Sequence, residues 1–135
     1  MDDLFKIVQD FVEFMVIRNA QEEGIRDIQR GMGRVFFNKE FNTLRLGLPR
    51  RAGNTTLALM VFQHYPSSIL IVQNQDMIRR NFRSLDNRNH VFSKSQPGFP
   101  GQSPSVVIVD TSSYLTDREQ ENIFSIDSNA FILIG

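Results

Sequence analysis

The chain reads as a three-layer α/β domain on a parallel sheet, and three observations lead there. Apolar runs recur at Leu44–Leu48 (Leu44, Leu46 and Leu48) and, nearly uninterrupted, at Ser68–Val72, Ser105–Asp110 and Ala130–Ile134, spaced widely enough for helices between them. Such runs are how strands buried on both faces read. Second, Leu44–Leu48 leads into Pro49-Arg50-Arg51-Ala52-Gly53-Asn54-Thr55-Thr56 and then a segment of helical composition. Strand, glycine turn, hydroxyl pair, helix is the layout of a phosphate-binding loop, in which backbone N–H groups and a helix N-terminus face an anion. Third, the run Val106–Val109 ends on a carboxylate, Asp110.

The elements follow in order. Residues 2–20 carry Leu4, Val8, Phe11 and Met15 at three- and four-residue steps behind an acidic start, which predicts an amphipathic helix. Its stripe is wide and aromatic, so packing on the core and docking to a partner or a second copy both fit. Ile25, Ile28 and Met32 continue a weaker helix that Gly31 and Gly33 break. Val35-Phe36-Phe37 reads as a short strand or buried turn, and Asn38–Asn42 as a polar lead-in to the first main strand. A helix is expected from Asn54 to His64, stopped by Pro66, and another over Asp76–Phe82. Val91-Phe92 is a candidate short strand. Ser93–Pro104, with three prolines and two glycines, reads as a mobile loop. Thr116 followed by Glu119 forms a capping-box pattern for a helix over Leu115–Phe124. The expected division is an N-terminal helical extension, 1–37, and an α/β core, 38–135.

Composition narrows the function classes. At 135 residues the length prior gives one domain, and 15 basic against 15 acidic residues leave no global field that selects nucleic acid or an acidic membrane. The absence of cysteine excludes disulfides and thiolate metal sites. The apolar runs fall far short of the roughly 18 residues a membrane span needs. The acidic start, Met1-Asp2-Asp3, is unlike a secretory signal. The expectation is a soluble, intracellular protein with no membrane association. His64 and His90 lack metal-ligand spacing, and Tyr114 and the twelve phenylalanines read as core. Arg79, Arg80, Arg83 and Arg88 form a basic cluster that reads as a solvated face or a nucleic-acid contact.

The loop departs from the G-x-x-x-x-G-K-[ST] spacing at telling positions. Gly53 and Thr55 are in place, Leu48 stands where the first glycine belongs, and Asn54 stands where the lysine belongs. Arg50, Arg51, Gly53, Asn54, Thr55 and Thr56 are the candidate nucleotide-binding residues. Thr55 and Asp110 are the candidate Mg²⁺ ligands. An uncharged Asn54 cannot offset phosphate charge, and charge-assisted hydrogen bonds are roughly twice as strong as neutral ones. Thr111, where a water-activating Glu is expected, cannot act as a base. The catalytic residues stay unassigned.

Pro49–Thr56 resembles the P-R-Q-x-G-K-T-T loop of the ATPase domain of phage terminase large subunits and related superfamily 2 helicase-like ATPases. Ile69–Val72 with Gln73-Asn74-Gln75 resembles that family's second strand and turn, Val106–Asp110 its Walker B strand, and Phe131–Gly135 the strand carrying its coupling motif. The resemblance spans residues 43–135. It implies a P-loop NTPase-like fold of about four main strands ordered 1-4-3-2, ATP and Mg²⁺ as ligands, and a viral, DNA-packaging setting in a host cytoplasm. The family's lysine and glutamate have no counterpart at Asn54 and Thr111, so the expected function is binding or regulation with little or no hydrolysis. The alternatives are an ATPase domain of a packaging motor or helicase, active only in a larger assembly, and a small-molecule phosphoryl-transfer enzyme.

Overall fold

A computed structural model describes residues 2–21, 28, 31–47, 53–74, 90–96, 99, 103–110 and 115–135. Its elements, in chain order, are α1 (Asp2–Gln21), α2 (Arg34–Phe41), β1 (Thr43–Leu46), α3 (Asn54–His64), β2 (Ser68–Val72), β3 (Val91–Ser93), β4 (Val106–Asp110), α4 (Asp117–Phe124) and β5 (Ala130–Ile134). The five strands form one sheet in the order β1-β5-β4-β2-β3, and every pairing is parallel. The four strands expected from the apolar runs are adjacent in the expected order 1-4-3-2. Val91–Ser93 adds a fifth at the edge beside β2.

The period of two along each strand divides the core between two faces. Leu70, Val72, Val106, Ile108, Ala130, Ile132 and Ile134 point to one face, where they pack with Val8, Val12 and Met15 of α1 and Leu57, Ala58, Val61 and Phe62 of α3. Ile69, Ile71, Val107, Val109, Phe131 and Leu133 point to the other, against Ile123 and Phe124 of α4 and Val35 of α2. Helices therefore cover both faces, and β2, β4 and β5 are buried throughout their lengths. That explains their unbroken apolar sequence. α1 is part of this core: full burial of an aliphatic side chain contributes about 1.5–3 kcal/mol, and Val8, Val12 and Met15 are each buried almost completely.

Three expectations are corrected. Val35-Phe36-Phe37 is neither strand nor turn but the first half of α2, which runs on through the polar Asn38, Lys39 and Glu40. Tertiary packing overrides the β-propensity of Val-Phe-Phe: Phe37 is buried, and its ring meets that of Phe41 one helical turn on, at 5.5 Å between centroids. The phenylalanines are not all core either. Phe14, Phe36 and Phe41 are exposed. Of the weaker helix expected at Ile25, Ile28 and Met32, Ile28, Gly31 and Met32 are helical and the break falls at Gly33 (φ 84°) and not at Gly31; Ile25 and the helix expected over Asp76–Phe82 lie outside the described residues. Among the described residues no helix is long and apolar enough to cross a membrane.

Before β1, a polar cluster ties α1, α2, α4 and β5 together. Asn38, buried, donates to the carbonyls of Phe124 and Ile126 at 2.8 and 3.1 Å and accepts from Asn42 at 2.8 Å. The Arg18 guanidinium donates to Asn42 Oδ1 and, at 2.8 Å, to the carbonyl of Phe41. Phe131 N–H closes the set on the carbonyl of Asn42 at 2.8 Å. The carbonyls at the end of α4 would otherwise be orphaned. They are satisfied here by a side chain 86 residues away in sequence.

Candidate functional site

Parallel sheets collect their strand ends on one edge, and open α/β folds bind ligands beyond the carboxyl ends of the strands. β1 reaches that edge at Leu46, where Gly135 N–H makes the last hydrogen bond to its carbonyl at 2.9 Å. The chain re-enters the described residues at Gly53, which adopts a left-handed conformation (φ 85°, ψ 27°) and caps α3. Only glycine takes that conformation without steric cost. Its carbonyl accepts from Leu57 N–H at 2.9 Å, and no side chain caps the helix start. The first N–H groups of α3 are thus left for another acceptor.

Asp110 closes β4 beside β2 and β5, paired with Ile134 and 1% exposed. Alternation puts it on the same face as Ile108, the face that α3 covers. Thr55, in the first turn of α3, therefore lies against it and donates from Oγ1 to Asp110 Oδ2 at 3.0 Å. Two residues 55 apart in sequence, singled out as one metal site, are in direct contact. The Oδ1 of neighbouring Asn54 is buried and accepts no hydrogen bond from the described residues. Thr56 is exposed on the same turn. Arg50, Arg51, Thr111 and the cluster Arg79, Arg80, Arg83 and Arg88 lie outside the described residues.

One hydroxyl and one carboxylate in contact make a partial oxygen donor set. That is the kind Mg²⁺ takes when substrate phosphates and waters supply its remaining positions. The residues present fit such an ion. Among the described residues no group of three or more His, Asp or Glu could hold a metal without such help.

Features around the same edge were missed in the sequence. Lys94, just after β3, pairs with Glu119 of α4 at 3.6 Å, both largely buried. Glu119 also completes the expected capping box: it accepts from Thr116 N–H at 2.9 Å, while Thr116 Oγ1 accepts from Glu119 N–H at 3.2 Å. The pairing of Lys94 with Glu119 had no sequence signal, because it depends on α4 folding back over an edge strand. A cavity of about 260 Å³ opens where β1 and β5 end against α4. Away from the edge, His64 receives a hydrogen bond or donates one at 3.2 Å to Gln9, and stacks edge-on against Phe5 and Tyr65. It joins α1 to α3, remote from chemistry. Burial, reinforced by the negative charge of Glu13, raises the Tyr65 phenol above its ordinary value of 10.0.

Comparison with protein-family models, with curated proteins and with solved structures gave no match.

Proposed function

We propose that this chain is a P-loop NTPase-like domain that binds Mg²⁺-nucleotide, of the terminase and helicase-like lineage, and acts by binding rather than by efficient hydrolysis. The observation that carries the reading is the 3.0 Å hydrogen bond from Thr55 to Asp110 at the carboxyl edge of the sheet, beneath the left-handed Gly53. The sheet order supports it, since a single strand, β5, separates β1, which leads toward Gly53, from β4, which carries Asp110.

On this reading the N–H groups of the first turn of α3 face a phosphate, and Thr55 and Asp110 would hold the metal. When bound, Mg²⁺ supplies charge neutralisation between phosphate oxygens. Asn54 offers an amide donor without charge, which leaves Arg50 and Arg51 as the loop's only cations. Thr111 cannot take a proton from water, so no group adjacent to Asp110 in sequence activates a nucleophile. Binding should persist where turnover is lost.

Calorimetry with a non-hydrolysable Mg²⁺-ATP analogue tests this. Binding that weakens roughly 10- to 100-fold in Thr55→Ala is expected from the loss of one hydrogen bond in a charged site. Absence of binding at millimolar nucleotide would sink the reading.

A further inference from the structure

We propose that the cavity between α4 and the ends of β1 and β5 is a binding site for a small monocarboxylate with an apolar body, independent of the function proposed above. Register and alternation place it on the α4 side of the sheet. Arg45 of β1 pairs with Leu133 of β5, and Leu133 packs with Ile123 and Phe124 of α4. Leu44 and Leu46, on either side of Arg45, turn to the opposite face, where α3 brings Thr55 onto Asp110. The cavity and the Thr55–Asp110 contact are therefore on opposite faces, and a ligand in one does not touch the other. The cavity holds about 260 Å³, just below the roughly 300–1,000 Å³ of pockets for drug-sized ligands. That size suits a small molecule.

The lining selects the class of ligand. Leu115 and Leu133 supply apolar walls, and covering them from water favours an apolar ligand body. Arg45 is exposed at the cavity and makes no hydrogen bond or ion pair with a described residue. Its planar guanidinium presents parallel N–H donors, the fork that matches a carboxylate. Gln120 Nε2 makes one hydrogen bond, at 3.4 Å to the carbonyl of Leu115, and retains a second N–H for a ligand oxygen. Arg45 is the one charged residue among the described lining, so the cavity matches a single negative charge. A phosphate dianion would bring a second charge against leucine walls with no cation to meet it. A neutral molecule would leave the guanidinium donors unused, and a cation would be repelled by them.

The test follows the backbone amide signals of Gly47, Gln120 and Gly135 by NMR in the isotope-labelled whole chain. Three probes are titrated separately: phenylacetate, its neutral isostere phenylacetamide, and phenyl phosphate. The expected result is saturable shifts at these amides with phenylacetate, at concentrations about 10-fold or more below those needed for either other probe, because the charge-assisted fork is met only by the carboxylate. In Arg45→Gln the carboxylate should fall to the level of the amide, whose own weak binding stays unchanged. Arg45 is exposed, so the substitution leaves the core intact, and thermal unfolding checks that the variant is folded. No saturable shift at these amides, equal binding of carboxylate and amide by wild type, or discrimination intact in Arg45→Gln would overturn the site. Tighter binding of phenyl phosphate than of phenylacetate would overturn the ligand class. None of these outcomes bears on the nucleotide titration, which reads the other face of the sheet.

Discussion

On the proposed function, the side chain of Asn54 sets the strength of the phosphate site. It occupies the first helical position of α3, carries no charge, and buries a carbonyl oxygen that accepts nothing from the described residues. Asn54→Lys replaces that orphaned acceptor with a cation facing the phosphates. An increase of about 10-fold in nucleotide affinity by calorimetry is expected. No gain would show that Asn54 is not the loop's weakness. Tyr65 carries a separate, pH-dependent prediction. Its phenol is held protonated by burial and by Glu13, so the folded state binds its proton more tightly than the unfolded chain does. That stabilisation is complete below pH 10.0 and is lost as pH rises through the raised value, because the unfolded chain ionises first. Tyr65→Phe should therefore lose stability less steeply than wild type above pH 10.0 in chemical denaturation. Parallel curves would contradict the shift.

Elements differ in how plainly their sequence announced them. α3 begins and ends where a glycine turn and Pro66 place it, and α4 starts on a capping box written in four residues. Thr116→Ala should cost about 1 kcal/mol in urea unfolding, the usual worth of such a cap. β4 was legible because burial on both faces leaves an unbroken aliphatic run. α2 was not. Its Val-Phe-Phe start carries β-propensity, and what holds it as a helix is tertiary: the burial of Phe37, and Asn38, whose partners are the carbonyls of Phe124 and Ile126. No local pattern encodes a hydrogen bond across 86 residues. Asn38→Ala should cost about 3 kcal/mol, because it strands buried carbonyls as well as removing bonds. A cost below that of the Thr116 variant would mean the cluster is ornamental to stability.

On the scale of the whole molecule, the sheet order does what neither motif does alone. Gly53–Thr55 is compatible with a plain turn and cap, and Asp110 with a plain strand end. Only the adjacency of β1, β5 and β4, with α3 on the face that Asp110 shares, turns them into one oxygen-lined site. Thr55 and Asp110, which the fold brings into contact, could be singled out from the sequence because a hydroxyl after a glycine turn and a carboxylate ending an apolar run each have local signatures. The cavity on the α4 face could not, because Arg45 and Gln120 come together through strand register and helix packing. The most direct measurement is a calorimetric titration of Mg²⁺ with a non-hydrolysable ATP analogue into wild type, Thr55→Ala and Asp110→Asn. Micromolar binding by wild type that requires Mg²⁺ and weakens roughly 10- to 100-fold in each variant is the expected result. No heat with wild type, or binding untouched by either substitution, would contradict the assignment of Thr55 and Asp110 to a nucleotide site.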